Sequence, residues 1–571
     1  MTVKLTNLEI KNFRAIKEAD IDLNEINALV GQNGSGKSSI LRALNAFFNF
    51  DEEAADFKLG NHAYGPNTQS VISITFHGFN TKDLPDALSE AGETTIRLKF
   101  RKRELWDYRS SSDWKPAPTN IREIIRSNIT FALIPIRRDY TVANDPMTGL
   151  LAEATEQWIL NHQQRDRHSP KIEEIAEKLL RNALGGFERQ LREIAPLDGP
   201  YRYELSYSEK PDYRLLLQSI ELRAIEGGRP LPLSDCGSGT QSIAVFALLA
   251  TIARLRQRTF LLGFEEPEQN LHPQAQKQLM KVLSDSSLQV VFTTHSPTLV
   301  DQLDHESVIL CKRSKTVQRG IVTEIRQIKR SFFNDAGIDR EKYYKFHRRM
   351  NSEFLFASSI IVTESPIDAK VVEKLLTDTS ANLDLSSTAF ISLGGVESIE
   401  YVYHLLQALG IPASFIVDKD WFLPYLNDER SSSLNNRGYP KFKRALKNSG
   451  LLLILFPSQA DREEISVHLH SNHAKAMDIL QEKNFYCFRY SLEVDLVASK
   501  STRENLAREL DLDPDAENLE HILLIANKKR IKSQSSVLAS IEGIQPRELP
   551  NSYKRLRSRL PEFISKYSET M

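Results

Sequence analysis

The stretch "GQNGSGKSS", Gly31–Ser39, separates the alternating segment "INALV" from "ILRALNAFF", which has helical spacing. It fits the loop pattern G-x-x-x-x-G-K-[ST], in which glycines let backbone N–H groups turn toward phosphate. Lys37 would neutralise the β- and γ-phosphates, and the Ser38 hydroxyl would ligate Mg²⁺. The strand–loop–helix context favours an ATP site in an α/β fold over a Gly/Ser turn that matches by chance. The predicted nucleotide contacts in this loop are Gly31, Asn33, Gly34, Ser35, Gly36, Lys37, Ser38 and Ser39.

A pair of glutamates ends a second apolar segment, "FLLGFEEPEQNLHP". After a buried strand, Glu265 can hold Mg²⁺, and Glu266 can orient or deprotonate the attacking water. Two glutamates after a strand are also common in solvated loops. The pair therefore supports ATP hydrolysis only together with the phosphate-binding loop.

Two more segments complete the predicted nucleotide site. "FTTHSP" is a strand that ends on His295, from where the imidazole can reach the γ-phosphate, although a strand-end histidine is often only structural. "CGSGTQS" begins a long apolar helix, and exposed N–H groups at a helix start suit an anion. The candidate residues there are Ser238, Gly239 and Gln241.

The second half of the chain repeats the α/β pattern. Apolar segments separated by helical stretches are typical of buried parallel strands. We predict strands in "SSIIVTES" (358–365), "TAFISLGG" (388–395), "ASFIVDKD" (413–420) and "GLLLILFP" (450–457).

Acidic residues stand at the ends of these predicted strands. Glu364 and the pair Asp418 and Asp420 follow strands, and Asp368 lies where a helix begins. Neighbouring parallel strands would bring these acids to one sheet edge. In an extended segment Asp418 and Asp420 share one face, and Lys419 points to the other. Each acid alone is typical of a solvated turn, but the ordered set predicts an all-oxygen site for Mg²⁺ or Mn²⁺.

The last part of the chain offers further candidates. Glu493 and Asp495 follow another apolar strand and would either complete a second metal site or simply begin a helix. Lys528 and Lys529 would either stabilise a pentavalent phosphate or belong to a solvated basic helix. Lys529 is the candidate chosen as catalytic.

Composition restricts the class of protein. The 571 residues have a net charge of −1, so any nucleic-acid surface must come from local charge. The three cysteines are far apart, and no apolar stretch is long enough to span a bilayer, so we expect a cytoplasmic protein without a membrane partner. Basic clusters, either one positive face or ordinary surface, lie at "FRKRELWDYR" (100–109), at 312–349 and at "NSYKRLRSRLPEF" (551–563).

The order of motifs in the first half resembles the ABC-type ATPase heads of SMC-like proteins. "KNFR" before the loop resembles the same group and implies that Arg14 lies near the nucleotide. The resemblance also implies a head-to-head dimer that encloses two ATP molecules. Glu265 departs from the usual aspartate and projects one methylene further, which predicts slow or partner-dependent turnover. No glutamine is assigned to the Q-loop.

The acidic layout of the second half resembles a Toprim domain. A head followed directly by such a domain resembles the OLD (overcoming lysogenization defect) family of nucleases. "FALIPIRRDY" also resembles a family segment, with Arg137 or Arg138 at its basic position. The resemblance implies DNA cleavage with two divalent metals, control by ATP and a role in phage defence. The candidate ligands that it implies are Glu364, Asp368, Asp418, Asp420, Glu493 and Asp495.

We therefore expect an α/β protein, an ABC-type ATPase head with a helical insertion followed by a Toprim domain. Its expected function is that of an ATP-regulated endonuclease or nickase that uses ATP and Mg²⁺ or Mn²⁺. DNA is the expected substrate, RNA remains open, and a homodimer or higher homo-oligomer and a regulatory partner are expected. The rivals are a non-nucleolytic sensor module and an end-processing repair ATPase. The expected segments are the head (1–140 and 197–311), a helical, possibly dimerising insertion (141–196), a basic linker (312–355) and the Toprim domain (356–571).

Overall fold

A computed structural model describes most of the chain outside residues 135–258. The predicted insertion, Arg137, Arg138, Ser238, Gly239 and Gln241 fall outside the described residues, apart from isolated positions in the insertion. In the described part no helix is both long and apolar enough to cross a membrane. The described ranges are 3–53, 62–65, 68–84, 86–87, 92–101, 103–110, 113–134, 155–156, 174, 178, 223–226, 229–232, 236, 244, 251, 259–269, 271–285, 288–316, 320–348, 352–377, 387–395 and 398–568.

The elements alternate between strands and helices in both halves of the chain. The strands are β1 Lys4–Phe13, β2 Ile16–Asp22, β3 Ile26–Val30, β4 Ser70–His77, β5 Glu93–Phe100, β6 Glu104–Arg109, β7 Trp114–Pro116, β8 Ile129–Ile134, β9 Arg223–Glu226, β10 Arg229–Pro232, β11 Thr259–Glu265, β12 Gln289–Thr293, β13 Val308–Thr316, β14 Gly320–Arg326, β15 Ser359–Thr363, β16 Thr388–Ser392, β17 Ala413–Val417 and β18 Phe485–Cys487. The helices are α1 Lys37–Phe48, α2 Ile121–Asn128, α3 Pro273–Asp285, α4 Pro297–Val300, α5 Phe332–Ala336, α6 Arg340–His347, α7 Pro366–Thr377, α8 Ile399–Ala408, α9 Lys419–Phe422, α10 Gly450–Leu455, α11 Gln459–Ser471, α12 His473–Gln481, α13 Leu492–Ala498, α14 Lys500–Glu509, α15 Leu519–His521, α16 Gln534–Ile541 and α17 Asn551–Ser568.

The described residues form two compact units. The first comprises Met1–Val30, Gly36–Leu303 and Ser307–Ile309, and the second comprises Gly31–Ser35, Asp304–Glu306 and Leu310–Met571. The predicted end of the head at residue 311 lies close to this division. The finer domain boundaries stay predictions.

The first unit contains a parallel run of strands in the order β3-β12-β11-β8. All residues of β11 and β12 are buried, as expected for strands covered on both faces. The phosphate-binding loop, the Glu265–Glu266 pair and His295 follow β3, β11 and β12. They therefore lie at the carboxyl edge of this sheet, where α/β proteins bind ligands. Antiparallel strands β7-β6-β5-β4-β1-β2 form the rest of the unit's sheet.

The second unit is built on a parallel four-stranded sheet in the order β16-β15-β17-β18. All five residues of β15 and of β17 are buried, and the two strands pair directly. The prediction that Glu364 and Asp418 end neighbouring parallel strands is confirmed.

One predicted strand of this sheet is wrong. "GLLLILFP" contains helix α10 instead, and the hydroxyl of its N-cap residue, Ser449, accepts a hydrogen bond from the Leu452 N–H. Leu453 and Ile454 are 48% and 53% exposed, so only one face of the run is buried. A short apolar run does not distinguish a strand from a helix, and here the Ser449 cap and the local packing decided. The fourth strand is instead β18, from "FYC".

The expected linker, residues 312–355, contains regular structure. Its described residues include most of the β13–β14 hairpin, helices α5 and α6 and a 3₁₀ turn at Ser352–Phe356. The described part of this segment is therefore folded into strands and helices.

Candidate active sites

The nucleotide loop leaves β3 and enters α1 with the backbone that the motif requires. Gly31, Gly34 and Gly36 have φ values of 138°, 70° and 97°, which side chains rarely tolerate. A Cβ on Gly31 would lie 2.1 Å from the Cys311 carbonyl oxygen, so only glycine fits. Helix α1 has no side-chain cap at Gly36, and the Ser35 hydroxyl is buried without a hydrogen-bond partner. This arrangement fits a bound phosphate.

The acids after β11 are held by the neighbouring strand. Glu265 is buried, and Glu266 has a φ of 44°, an unusual value for a residue other than glycine. The Glu266 N–H donates to the Thr293 carbonyl oxygen and to its hydroxyl, at 3.1 Å each. Glu266 Oε1 lies 3.7 Å from His295 Nε2. Strain that persists at such a position is common at active sites.

His295 is electrostatically linked to this site. Burial lowers its pKa, and the nearby Lys37 charge lowers it further, while Glu266 acts in the opposite direction. The lowered pKa favours a neutral imidazole at pH 7.

Glu268 is a site residue that the sequence analysis missed. Its Oε1 accepts hydrogen bonds from the Thr294 hydroxyl at 2.8 Å and from the His295 N–H at 2.7 Å. Burial raises the pKa of this carboxyl. Glu268 therefore fixes the backbone that carries His295. The sequence signal for Glu268 is its position in "EEPE", two residues after the predicted pair Glu265 and Glu266.

Two arginines are candidates for contact with a bound nucleotide. Arg14, predicted near the nucleotide, lies 3.9 Å from the buried Glu53, so its role stays a prediction. Arg313 on β13 was not predicted, and its Nη1 lies 3.6 Å from the position a Cβ on Gly34 would take. Its guanidinium is a further candidate for contact with phosphate.

The acidic group of the second unit is a cluster of three carboxylates. Oxygens of Glu364, Asp418 and Asp420 all lie within 4.8 Å of one another. Glu364 follows β15 directly, and its carbonyl oxygen accepts a hydrogen bond from Gly394, the first glycine of the turn after β16. Gly394 has a φ of 66°, which explains glycine at this turn. We call these carboxylates the acid cluster.

The acid cluster has the donor set of a divalent-metal site. Glu364 Oε2 and Asp420 Oδ1 are buried without a hydrogen-bond partner, an arrangement that is costly for a carboxylate unless a cation joins it. The other oxygens are oriented by the protein: Tyr425 donates to Asp420 Oδ2 at 3.0 Å, and the Leu492 N–H donates to Asp418 Oδ1 at 3.2 Å. Only oxygen ligands are present, which suits Mg²⁺ or Mn²⁺.

The expected extended geometry of Asp418 and Asp420 is wrong. β17 ends at Val417, Asp418 is the N-cap of α9, and Asp420 lies in its first turn. The two carboxylates converge because the chain turns into a helix. Lys419 points away, with its Nζ 5.4 Å from the Phe442 ring centre and 5.7 Å from that of Tyr490.

Two predicted ligands lie beside the acid cluster. Asp368 Oδ2 accepts the Ser365 N–H at 2.7 Å, and its charge raises the pKa of Glu364. Glu493 Oε1 is paired with Arg430 at 3.2 Å and with Lys532 at 3.1 Å. Burial would raise the pKa of Glu493, but these two cations lower it.

Asp495, another predicted ligand, accepts hydrogen bonds from the protein at both carboxylate oxygens, and its role as a ligand stays a prediction. Its Oδ2 accepts from the Arg489 N–H at 2.8 Å and from the Ser552 hydroxyl at 2.5 Å, and its Oδ1 accepts the Tyr490 N–H at 2.9 Å. Both oxygens are therefore used within the protein. Asp495 thereby holds Arg489 and Tyr490, which precede Ser491 and the residue whose N–H donates to Asp418, Leu492.

The role of Lys528 or Lys529 stays a prediction, and a third lysine pairs with one of the predicted acids. Lys528 and Lys529 are exposed, whereas Lys532 reaches Glu493. The 3₁₀ turn Arg530–Lys532 sets this direction. The sequence signal for Lys532 is the third lysine of "NKKRIKS", which follows the predicted pair.

The carboxyl groups resist ionisation when no cation is present. Burial, followed by the charges of Asp420 and Asp368, raises the pKa of Glu364 to about 7. Burial raises the pKa of Asp368 to about 6, and burial with the Glu364 charge raises that of Asp418 well above its usual range. Metal-free protein at pH 7 therefore retains protons that a cation must displace.

Mg²⁺ binding is expected to release protons near neutral pH and to weaken as pH falls below 7. The folded, metal-free state holds the Glu364 proton more tightly than the unfolded chain does. Its contribution to stability is therefore full below pH 4.5 and is lost as pH rises through about 7. Titration calorimetry in buffers of different ionisation enthalpy measures the released protons. Glu364→Gln should release fewer, and equal release by both proteins would contradict the assignment.

Comparison with known proteins identifies a domain in each half of the chain. Residues 26–301 match the family model of an AAA domain, and residues 355–420 match "Overcoming lysogenization defect protein-like, TOPRIM domain". These domains imply the use of nucleotide and divalent metal in general. Among solved structures, the SMC head domain from Thermotoga maritima is 15% identical and covers 57% of this chain and 99% of its own, with a TM-score of 0.31.

Three curated relatives extend over most of the chain. The "OLD nuclease" of Thermus scotoductus is 25% identical over 470 residues, which cover 75% of this chain and 84% of that protein. The "Old nuclease" of Escherichia phage P2 is 23% identical, over 76% of this chain and 80% of its own. The "Endonuclease GajA" of Bacillus cereus is 24% identical, over 73% and 75%.

Proposed function

Because this chain belongs to the OLD family, with an AAA-type ATPase domain and a TOPRIM domain, we propose that it is an ATP-regulated DNA endonuclease or nickase. The observation that carries the proposal is the acid cluster with its two unpartnered, buried carboxylate oxygens. Relatives named nuclease and endonuclease over three-quarters of the chain support phosphodiester hydrolysis. Phage defence is consistent with this family.

The acid cluster would hold Mg²⁺ or Mn²⁺. When bound there, divalent metal supplies Lewis-acid stabilisation of charge on the phosphate and an activated water. Glu364, Asp418 and Asp420 would be its ligands. The Tyr425 hydroxyl and the Leu492 N–H orient the carboxylates of Asp420 and Asp418, which would leave their other oxygens for the cation.

A second cation site would form around Asp368 and Glu493. The cations Arg430 and Lys532 now neutralise Glu493, and either can turn toward the substrate phosphate once Glu493 has another partner. Lys532 is the better candidate because it also acts electrostatically on Asp368. A positive charge placed there stabilises the charge that develops on the phosphate.

The ATPase part would control the nuclease. Lys37 and the loop glycines would bind the phosphates, and Glu266, Glu265 and His295 would serve hydrolysis. A homodimer through the heads is part of this proposal. So is a regulatory partner, a protein or a structured nucleic acid.

A cleavage assay on supercoiled and linear DNA tests the function. With Mg²⁺ or Mn²⁺, wild-type protein should nick or cut DNA, and EDTA should stop it. ATP and a non-hydrolysable analogue then show whether the nucleotide activates or restrains cutting. DNA binding without cleavage under every metal condition would favour a non-nucleolytic sensor. A preference for linear ends would favour an end-processing enzyme, and cleavage of RNA would widen the substrate class.

Lys532→Ala is expected to lower the cleavage rate by about 10²-fold, because it removes a charge that stabilises the transition state. The double variant Lys528→Ala/Lys529→Ala, exposed and three or four residues away, is the matched control and should cut within about threefold of wild type. The comparison is made at saturating DNA. If the double variant lost cleavage activity and Lys532→Ala kept it, the catalytic role would belong to Lys528 or Lys529.

A further inference from the structure

The chain leaves the acid cluster through an ordered basic hairpin, residues 423–447. Tyr425 and Phe442 form an antiparallel bridge, as do Leu434 and Pro440. The Lys447 N–H donates to the Phe422 carbonyl oxygen at 2.8 Å. The hairpin therefore starts and ends beside α9, the helix that carries Asp420.

The basic hairpin is fastened to the acids of the site. The Tyr425 ring stacks on Phe442 with 5.2 Å between ring centres, and its hydroxyl donates to Asp420. Arg430 in the outgoing arm donates from both Nη atoms to Glu493 Oε1 at 3.2 Å. A ligand on the hairpin would therefore be held in a defined place relative to the acid cluster.

The exposed side of the basic hairpin is positive. Lys441, Arg444 and Lys447 are exposed, whereas Lys443 pairs with Asp428 at 2.5 Å. Among the described residues, no acidic group pairs with the side chains of Lys441, Arg444 or Lys447. Residues 423–447 contain six basic residues and two acidic ones.

We propose that the basic hairpin is the surface on which the DNA backbone lies beside the nuclease site. Lys441, Arg444 and Lys447 would contact phosphates that flank the scissile bond. Unpaired cations next to a site for phosphodiester cleavage attract phosphate and release its counterions. This inference rests on the proposed function and names the surface that delivers its substrate.

The test is a triple variant, Lys441→Ala/Arg444→Ala/Lys447→Ala. Binding of a labelled DNA duplex is measured by fluorescence anisotropy in EDTA over a series of salt concentrations. Affinity should fall at least about tenfold, and the slope of log affinity against log salt should decrease by about 0.9 for each lost contact. Cleavage should show a raised KM, while kcat at saturating DNA stays within about threefold.

The matched control removes three exposed cations elsewhere, Lys277→Ala/Lys281→Ala/Arg547→Ala. This triple variant has the same net charge, so a general field effect would weaken both proteins equally and would overturn the proposal. An unchanged affinity and salt slope in the hairpin variant would also overturn it. Lys441→Arg/Lys447→Arg keeps the charges and should bind like wild type, which separates lost charge from a damaged fold.

The two proposals fail in distinguishable ways. Wild-type protein could bind DNA without cleaving it while the hairpin variant still loses affinity for DNA. That result would support the basic hairpin as the DNA-binding surface and contradict the nuclease function. If wild-type protein cleaves and the variant cleaves with an unchanged KM, the function stands and the hairpin falls. Weakened binding of duplex RNA alone would overturn DNA as the occupant.

Discussion

Replacing Asp418 with alanine is expected to reduce metal-dependent cleavage by about 10³-fold or more, because the acid cluster loses a ligand and the metal's charge stabilisation. Nucleotide affinity should be unchanged, since the phosphate-binding loop is untouched. The measurements are nicking of supercoiled DNA at several Mg²⁺ concentrations and binding of a fluorescent ATP analogue.

Folding of the Asp418 variant can be separated from its chemistry. Asp418→Asn keeps an acceptor for the Leu492 N–H and removes an ionisable group that faces Glu364 and Asp420. Its metal-free form should be at least as stable as wild type, because asparagine cannot acquire the buried negative charge that the neighbouring carboxylates disfavour. Asp515→Ala removes an exposed carboxylate elsewhere and should cut normally. Cleavage by both Asp418 variants at the wild-type rate would falsify the metal assignment.

Glu266→Gln is expected to slow ATP hydrolysis by about 10²- to 10⁴-fold, the usual contribution of a general base. ATP should still bind, because glutamine retains the shape of the side chain and Lys37 remains. Steady-state turnover and nucleotide affinity measure the two effects. The variant should retain bound ATP longer than wild type does. A DNA-cleavage assay with this variant then shows whether the ATP-bound state is active or inactive as a nuclease.

The control for this prediction is Lys37→Ala, which should lose nucleotide affinity itself. Glu268→Gln is a third comparison. It keeps one acceptor for the His295 N–H, so a small effect on turnover is expected. Hydrolysis of ATP by Glu266→Gln at the wild-type rate would show that another residue is the general base.

Local sequence patterns were sufficient to predict the strand ends at which the candidate site residues lie. The phosphate-binding loop is a contiguous motif, and its glycines have the positive φ values that the motif predicts. Glu364 and Asp418 were placed together because apolar runs identify parallel strands whose carboxyl ends meet at one edge. These inferences needed only the order of residues and the geometry of a sheet.

Other assignments needed the direction of individual side chains. Three lysines lie within five residues of one another, and only the local helical phase brings Lys532, rather than Lys528 or Lys529, to Glu493. The sequence also does not show that Asp495 accepts hydrogen bonds from the Arg489 and Tyr490 N–H groups and from the Ser552 hydroxyl. Sequence spacing does not distinguish an acid that accepts protein hydrogen bonds from one that is left for a metal.

The sequence by itself determined the two α/β units, the nucleotide loop and the three carboxylates of the acid cluster, because each depends on neighbours in the chain or on a repeating strand pattern. The tertiary structure alone decided that "GLLLILFP" is a helix, that Tyr425 and Leu492 orient Asp420 and Asp418, and that residues 423–447 present a basic surface beside them. These features depend on hydrogen bonds and packing that the sequence pattern does not show, over separations from the 5 residues between Tyr425 and Asp420 to the 74 between Leu492 and Asp418. Burial and hydrogen bonding choose among conformations that the local sequence leaves nearly equal in energy.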